Sequence, residues 1–338
     1  LTQGTGRCRA HTNIALIKYW GKQDEQLFLP MNSSLSLTLN AFYTDTKVTL
    51  DQALKQDVFL LNHQKQSAEQ TLKISNFLDL FRHKYSISAK ICVESINHVP
   101  TAAGLASSAS AFAALAGAIN EAARLNIGLQ ELSTFARRGS GSATRSIFGG
   151  FVEWQKGTCS TDSFAIPLDD AAWDIGMLIV VVNHREKIIS SRQGMKRTVE
   201  TSPFYPAWVK SSEKDLVEMK KAIVTKDFSK IGELAESSAL KMHATMLSAQ
   251  PPFTYFEPDS IRVIQRVQEL RKKGLECYLT MDAGPNVKIL CRLTDMDKLK
   301  QELSTEFSQD QMILSGVGSG IHSLSENEWL LSKKGLKS

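Results

Sequence analysis

The stretch that most restricts this chain is Pro100–Ser110, reading PTAAGLASSAS, with the Ala-rich apolar run that follows it to Ala123. Small residues let the backbone approach a ligand closely. Ser107, Ser108 and Ser110 add hydroxyl donors. A helix starting near Leu105 points its free N–H groups and the positive end of its dipole into the preceding loop. That arrangement suits phosphate. It is not a P-loop: no G-x-x-x-x-G-K-[ST] occurs, and no G-x-G-x-x-G follows a strand. The same residues would also serve a helix packed tightly on a sheet, and the stretch alone leaves both readings open.

The elements around it mix strands and helices. Arg7–Lys18, Ser34–Leu39, Lys47–Leu50, Val58–Leu61 and Lys90–Ile96 read as strands, and Ala68–His83 as a helix. The central helix spans Leu105–Leu125, and Gln130–Arg137 is a second, shorter one. A Gly/Ser cluster covers Gly139–Gly150. Phe151–Gln155, Gly176–Val182, Cys277–Met281 and Val287–Leu293 are strands, and Gly176–Val182 is apolar enough to be buried on both faces. Ala207–Met246 is a helical block, and Ile261–Lys273 a helix ending at Gly274. Ser315–Gly320 is a Gly-rich turn between strands. Strands and helices that do not strictly alternate predict an α+β fold in two domains, 1–185 and 186–338.

Composition narrows the function. The 338 residues are 42% hydrophobic and 22% charged, with a formal net charge of +5. That mild basicity fits an acidic small molecule as well as a nucleic acid. The absence of any block of five Lys/Arg weighs against the nucleic acid. So does the sparse mixing of aromatics with cations, seen only where Lys18 and Lys22 flank Tyr19 and Trp20. Cys8, Cys92, Cys159, Cys277 and Cys291 include no C-x-x-C pair, which fits free thiols in a reducing cytoplasm. No apolar run is long enough for a membrane span, and no signal-peptide pattern is present. The histidines never fall in a zinc pattern and read as surface or satisfied core residues. No G-x-S-x-G elbow suggests a serine hydrolase.

Four separated segments share small residues and hydroxyls, three of them with a cation: Tyr19–Lys22, Ser107–Ser110, Ser140–Arg145 and Ser190–Arg192. Arg and Lys make the strong, charge-assisted hydrogen bonds to phosphate and carboxylate oxygens. Several such cations beside Gly or Ser imply more than one anionic group held together. Asp282, in MDAGPN after a strand, is either a turn-capping residue or a general base for a substrate hydroxyl.

These residues carry a resemblance. HTNIALIKYWGK (His11–Lys22), PMNSSLSLTL (Pro30–Leu39), PTAAGLASSASAFAAL (Pro100–Leu115), GSGSATRSIFGGFVEW (Gly139–Trp154), SSR (Ser190–Arg192) and MDAGPNV resemble the mevalonate diphosphate decarboxylases of the GHMP kinase superfamily, in their Gram-positive bacterial form. The resemblance implies a two-domain α+β fold with a cleft between the domains. It implies ATP against Pro100, Ala103, Gly104, Leu105, Ala106, Ser107 and Ser108, with Mg²⁺ whose ligands stay unnamed. It implies mevalonate diphosphate as the second substrate, converted to isopentenyl diphosphate with release of carbon dioxide, ADP and phosphate. Asp282 would stand near the tertiary hydroxyl, and Ser107 would orient the γ-phosphate. Asn13 and Arg145 would hold the substrate carboxylate. Tyr19, Lys22, Ser140, Ser142, Ser191 and Arg192 would hold its diphosphate. A cytoplasmic homodimer is also implied. The competing reading is a small-molecule kinase of the same superfamily, acting on mevalonate, phosphomevalonate or homoserine without decarboxylation.

Overall fold

The fold is built on two long antiparallel strands, β1 (Gln3–Ile17) and β4 (Ser34–Asp51), paired from Gln3↔Asp51 to Ile17↔Leu35. The structure is a computed structural model describing residues 3–98, 107–182 and 188–335. Pro100, Ala103, Gly104, Leu105 and Ala106 lie outside the described residues. Between the two long strands run the short β2 (Lys22–Asp24) and β3 (Leu29–Pro30). Next come β5 (Val58–Leu61), β6 (Gln64–Lys65), α1 (Ala68–Tyr85) and β7 (Lys90–Asn97). They are followed by α2 (Ser107–Ala122), α3 (Leu129–Gly139), a 3₁₀ segment (Gly141–Ile147), β8 (Phe151–Trp154) and β9 (Ala165–Asp169).

The second half begins with β10 (Gly176–Val180), α4 (Ser191–Thr201), α5 (Tyr205–Val224), α6 (Phe228–Leu247) and α7 (Pro258–Lys272). It ends with β11 (Cys277–Met281), β12 (Val287–Cys291), α8 (Met296–Leu303), β13 (Met312–Ser315), β14 (His322–Ser323) and α9 (Glu326–Gly335). The first sheet has the order β14-β1-β4-β7-β5-β6, with β8 and β9 added on β4; the second is β11-β12-β10-β13. The chain thus changes sheet between β9 and β10, ahead of residue 185, and β14 returns to β1. This is a mixed α+β architecture in two parts.

Helix α2 lies on β1 and β4 with Ala109, Ala113, Ala114, Ala116, Ala118 and Ala122 all buried. Its small side chains permit a close approach from the sheet side too. A Cβ at Gly6 would overlap the Ala118 carbonyl, so glycine here is a packing requirement. One apolar core spans both halves, joining Leu16, Leu35 and Leu37 to Met177, Ile179 and Leu290, with Met219 and Ile231 from α5 and α6. A second fills the space beneath α1, α2 and α3, and a third lies between the second sheet and helices α7 and α8.

Several elements differ from expectation for identifiable reasons. Ser34–Leu39 and Lys47–Leu50 belong to one 18-residue strand. Its irregular middle, where β1 shifts register between His11 and Asn13, breaks the alternation that marks a strand. The 207–246 block is two helices, separated where Lys226 takes φ 53° and Asp227 caps α6 by accepting from the Lys230 N–H. The Gly139–Gly150 cluster is mostly a 3₁₀ helix. Helix α4 was not anticipated because its face is polar, although Ser190 and Gln193 form a capping box in S-x-x-Q spacing.

Candidate active site

A cleft of about 690 Å³ opens where the two halves meet. Its floor starts with the turn that ends β1. Gly21 sits at φ 103°, where a Cβ would strike the Tyr205 hydroxyl. That hydroxyl donates to the Trp20 carbonyl at 2.5 Å. The Lys18 N–H donates to Ser238 Oγ of α6 at 3.1 Å, and Asn32 Nδ2 donates to the Lys18 carbonyl at 2.8 Å. Trp20, Tyr205, Trp208, Met242, Phe253 and Tyr255 pack beneath. The turn is therefore held on several sides, and Lys18 and Tyr19 are aimed by the fold.

The register shift in β1 turns Asn13 toward the 3₁₀ segment. Asn13 Nδ2 donates to the Ser142 carbonyl at 2.9 Å and to Ser146 Oγ at 2.7 Å. Its Oδ1 accepts from Arg145 Nε at 3.2 Å, and Arg145 Nη1 donates to Ser34 Oγ at 2.6 Å. Arg145 is 3% exposed. Burial pushes its guanidinium down to about 10, with Asp282 opposing, so it remains a cation at neutral pH. Tyr19 packs on Trp154 at 4.8 Å between ring centroids, and burial raises its phenol, which stays neutral.

Asp282 follows β11, with 38% of its side chain open while the Lys18 and Lys288 side chains are each 1% exposed. Lys18 Nζ donates to Asp282 Oδ1 at 2.7 Å and to the Ala15 carbonyl at 2.7 Å. Lys288 Nζ stands 3.2 Å from Asp282 Oδ2 and donates to the Asn286 carbonyl at 3.2 Å. Burial pushes the Asp282 carboxyl up, but Lys18 and then Lys288 outweigh it and hold the group well below the usual carboxylate range. Burial brings Lys18 down to about 8 despite Asp282. Together with Arg145, three buried cations face one carboxylate.

The remaining expected residues surround this cluster. Ser140 and Ser142 line the cleft, with their hydroxyls 3.4 Å apart. Ser191 and Arg192 line the cleft from the first turn of α4, where the helix dipole favours an anion. Lys22 also lines the cleft but is already ion-paired with Glu25 at 2.8 Å and lies 4.0 Å from the Phe28 ring centroid. The two serines opening α2 diverge. Ser108 faces the cleft, 3.2 Å from Ser140 Oγ, whereas Ser107 lines a separate pocket of about 100 Å³ with Thr44, Ser95, Asn97 and Phe112.

Sequence reasoning did not single out Lys18, Lys288, Lys73 or Arg138, although Lys18, Lys73 and Arg138 line the cleft. A signal existed for Lys288: one cation inside the apolar run NVKILC. His243 of α6 is a buried core histidine, 1% exposed, with the Met281 and Asp282 backbone against its ring. Its ring stacks on Phe256 at 4.7 Å, and burial pushes it down to about 4, so it is neutral behind Asp282. Among the described residues no group of three or more His, Cys, Asp or Glu could hold a metal. No helix among them is long and apolar enough to cross a membrane.

Comparison with known proteins agrees with this geometry. Residues 10–165 match the diphosphomevalonate decarboxylase-like N-terminal domain, and residues 177–330 match the mevalonate 5-diphosphate decarboxylase C-terminal domain. The diphosphomevalonate decarboxylase of Candida albicans is 37% identical over 317 residues, covering 88% of this chain and 87% of the relative. The human enzyme is 38% identical over 304 residues, covering 83% and 75%. The crystal structure of mevalonate diphosphate decarboxylase from Staphylococcus aureus superposes with a TM-score of 0.93 at 48% identity, covering 96% of this chain and 99% of that one. A complex of MDDEF with MVAPP, AMPPCP and magnesium gives a TM-score of 0.91 at 52% identity, covering 96% and 100%. With both halves matched and the cleft assembled from both, the chain belongs to the diphosphomevalonate decarboxylase family.

Proposed function

We propose that this cleft decarboxylates (R)-5-diphosphomevalonate in an ATP-dependent reaction, with Asp282 at the tertiary hydroxyl. The observation that carries the reading is Asp282 set among the buried cations Lys18, Lys288 and Arg145 at the cleft floor. The excess of positive charge there is matched to a substrate carrying a carboxylate and a diphosphate. Arg145 and Asn13 hold the carboxylate. Tyr19, Lys22, Ser140, Ser142, Ser191 and Arg192 hold the diphosphate. ATP lies toward the start of α2, with Ser107 orienting its γ-phosphate.

A carboxylate gripped by two ammoniums is a weak base. Phosphoryl transfer through a loose transition state asks for little more, since positioning and electrostatics do most of the work. The substrate oxygen attacks the γ-phosphorus, its proton passes to Asp282, and ADP leaves. The tertiary phosphate then departs, and positive charge develops on the carbon it leaves. The bond to the carboxylate carbon breaks, its electron pair forms the alkene, and carbon dioxide is released. Fixed cations on the cleft floor stabilise the departing phosphate without reorganising. Mg²⁺ would neutralise charge on the ATP phosphates. The donor set fits a metal carried by phosphates and water, because the one carboxylate among the described cleft residues is engaged on both oxygens.

The closer identity to the Staphylococcus aureus structure, 48% against 37–38% for the Candida and human relatives, supports a Gram-positive bacterial form. The reading includes a cytoplasmic homodimer, which sedimentation of the purified chain tests for assembly. Incubation with ATP, Mg²⁺ and diphosphomevalonate tests the reaction itself. Equal release of ADP and carbon dioxide is expected, whereas ADP without carbon dioxide would make the protein a kinase.

A further inference from the structure

Lys288 has no evident purpose in the fold. It sits in β12, flanked by β10 and β11, opposite Ile179 on one side and Thr280 on the other. Its neighbours Val287 and Ile289 are fully buried. A lysine is among the residues least often buried. Replacing a buried charged group by an apolar one of similar volume is often neutral or stabilising. Asp282 does not require a second cation for charge balance either, because Lys18 already pairs with it at 2.7 Å. What Lys288 adds is geometric. With Oδ1 on Lys18 and Oδ2 on Lys288, the carboxylate is held at both oxygens, and its plane is fixed relative to the cleft. With Lys18 alone it could turn about its terminal bond.

We propose that Lys288 is a positioning residue for the reaction, fixing the second oxygen of Asp282 from the body of the second sheet so that the carboxylate faces the substrate hydroxyl. This rests on the role given to Asp282 above. The charged and titratable groups around the pair are Lys18 at the end of β1, Arg145 from the 3₁₀ segment, His243 from α6 and Lys288 itself. His243 is neutral at working pH, so Lys288 and Arg145 are the cations acting on the Lys18–Asp282 pair. Both depress the proton affinity of Lys18. Removing the Lys288 charge therefore lets Lys18 keep its proton to higher pH.

The test is Lys288→Met, with steady-state kinetics, thermal melting and a pH profile of kcat/KM, which reports groups of the free enzyme. We expect a melting temperature equal to or above wild type and a loss of turnover of roughly 10- to 100-fold. KM for ATP should change by less than about twofold, because the interaction lost acts in the transition state. The alkaline limb to which Lys18 contributes should move upward, because Lys288 is one of the charges that lower the proton affinity of Lys18. Wild-type turnover, or activity and melting temperature falling together with the pH profile unmoved, would overturn the proposal. Lys288→Gln provides the same readouts if the methionine variant does not fold, and failure of both to fold would assign Lys288 a purely structural role and overturn it too. Carbon dioxide release by the wild type is measured in parallel. Its absence would refute the proposed reaction, while its presence with an unaffected Lys288→Met variant would refute only the role of Lys288.

Discussion

Replacing Arg145 with glutamine removes the one buried cation in the cluster that has no carboxylate partner among the described residues. Its guanidinium makes two hydrogen bonds, to Ser34 Oγ at 2.6 Å and to Asn13 Oδ1 at 3.2 Å, and lies 5.8 Å from the Trp154 ring centroid. Neither bond neutralises it, so its charge is available to the substrate carboxylate. Breaking a buried, hydrogen-bonded charge pair costs roughly 2–5 kcal/mol. At a factor of ten per about 1.4 kcal/mol, kcat/KM for diphosphomevalonate should fall roughly 30-fold to several thousand-fold.

Stability should move little under the same change. Two acceptors lose a donor, which costs about 1–3 kcal/mol each if they stay unsatisfied. Against this, glutamine can keep one of the bonds, and a desolvated cation is removed from beside Lys18. Arg145→Lys should fall between, since it keeps charge but loses the planar fork. The assay is steady-state ADP release with each substrate varied, alongside thermal melts. A kcat/KM for Arg145→Gln within about fivefold of wild type would refute the assignment, since the lost charged contact alone should exceed that.

The other expectations follow from separate parts of the cleft. Ser108→Ala should raise KM for the diphosphate substrate, because Ser108 meets Ser140 in the cleft, whereas Ser107→Ala, at the proposed γ-phosphate contact, should lower turnover more than ATP affinity; identical profiles for the two variants would refute the division. Arg192→Ala should weaken diphosphomevalonate binding about tenfold to a hundredfold and leave ATP binding unchanged, in calorimetric titration. Lys22→Ala should do less, since Glu25 already engages Lys22, and the reverse order would count against both roles. Acid should destabilise the fold through His11 and His243, each pushed by burial from 6.5 to about 4. Between those values the unfolded chain binds more protons than the folded one, so stability falls as pH drops, by about 2 kcal/mol per histidine at about pH 5. Urea titrations at about pH 7 and about pH 5 should show this loss, His243→Gln should remove about half of it, and a flat profile would refute the burial argument.

Much of the cleft was legible because its chemistry is carried by residue types that stand out in apolar or small-residue surroundings. Arg145 and Asp282 lie 137 positions apart by number yet meet in one cleft, and each was marked by a cation or carboxylate set in a turn rich in small residues. Lys18 was passed over because it sits at the end of a strand, where an exposed flanking lysine is the ordinary outcome; only the contacts of its Nζ with the Ala15 carbonyl and Asp282 show that it points inward. Lys288 required knowing that β12 is covered on both faces. The long bend of β4 was hidden because register shifts interrupt the period of two on which strand reading depends. Helix α4 was missed through its polar composition, even though it presents Ser191 and Arg192 to the cleft.

The most direct test of the central claim, that Asp282 acts on the substrate hydroxyl from its grip between two lysines, is a single-turnover measurement on Asp282→Asn. The change is nearly isosteric, and it removes both the proton acceptor and the negative charge that Lys18 and Lys288 address. ATP binding and the folded state should persist. ADP and carbon dioxide should both fall, by roughly 10²–10⁴-fold, and in step, because decarboxylation waits on phosphoryl transfer. A variant that forms ADP at the wild-type rate would contradict the claim, whether or not carbon dioxide followed.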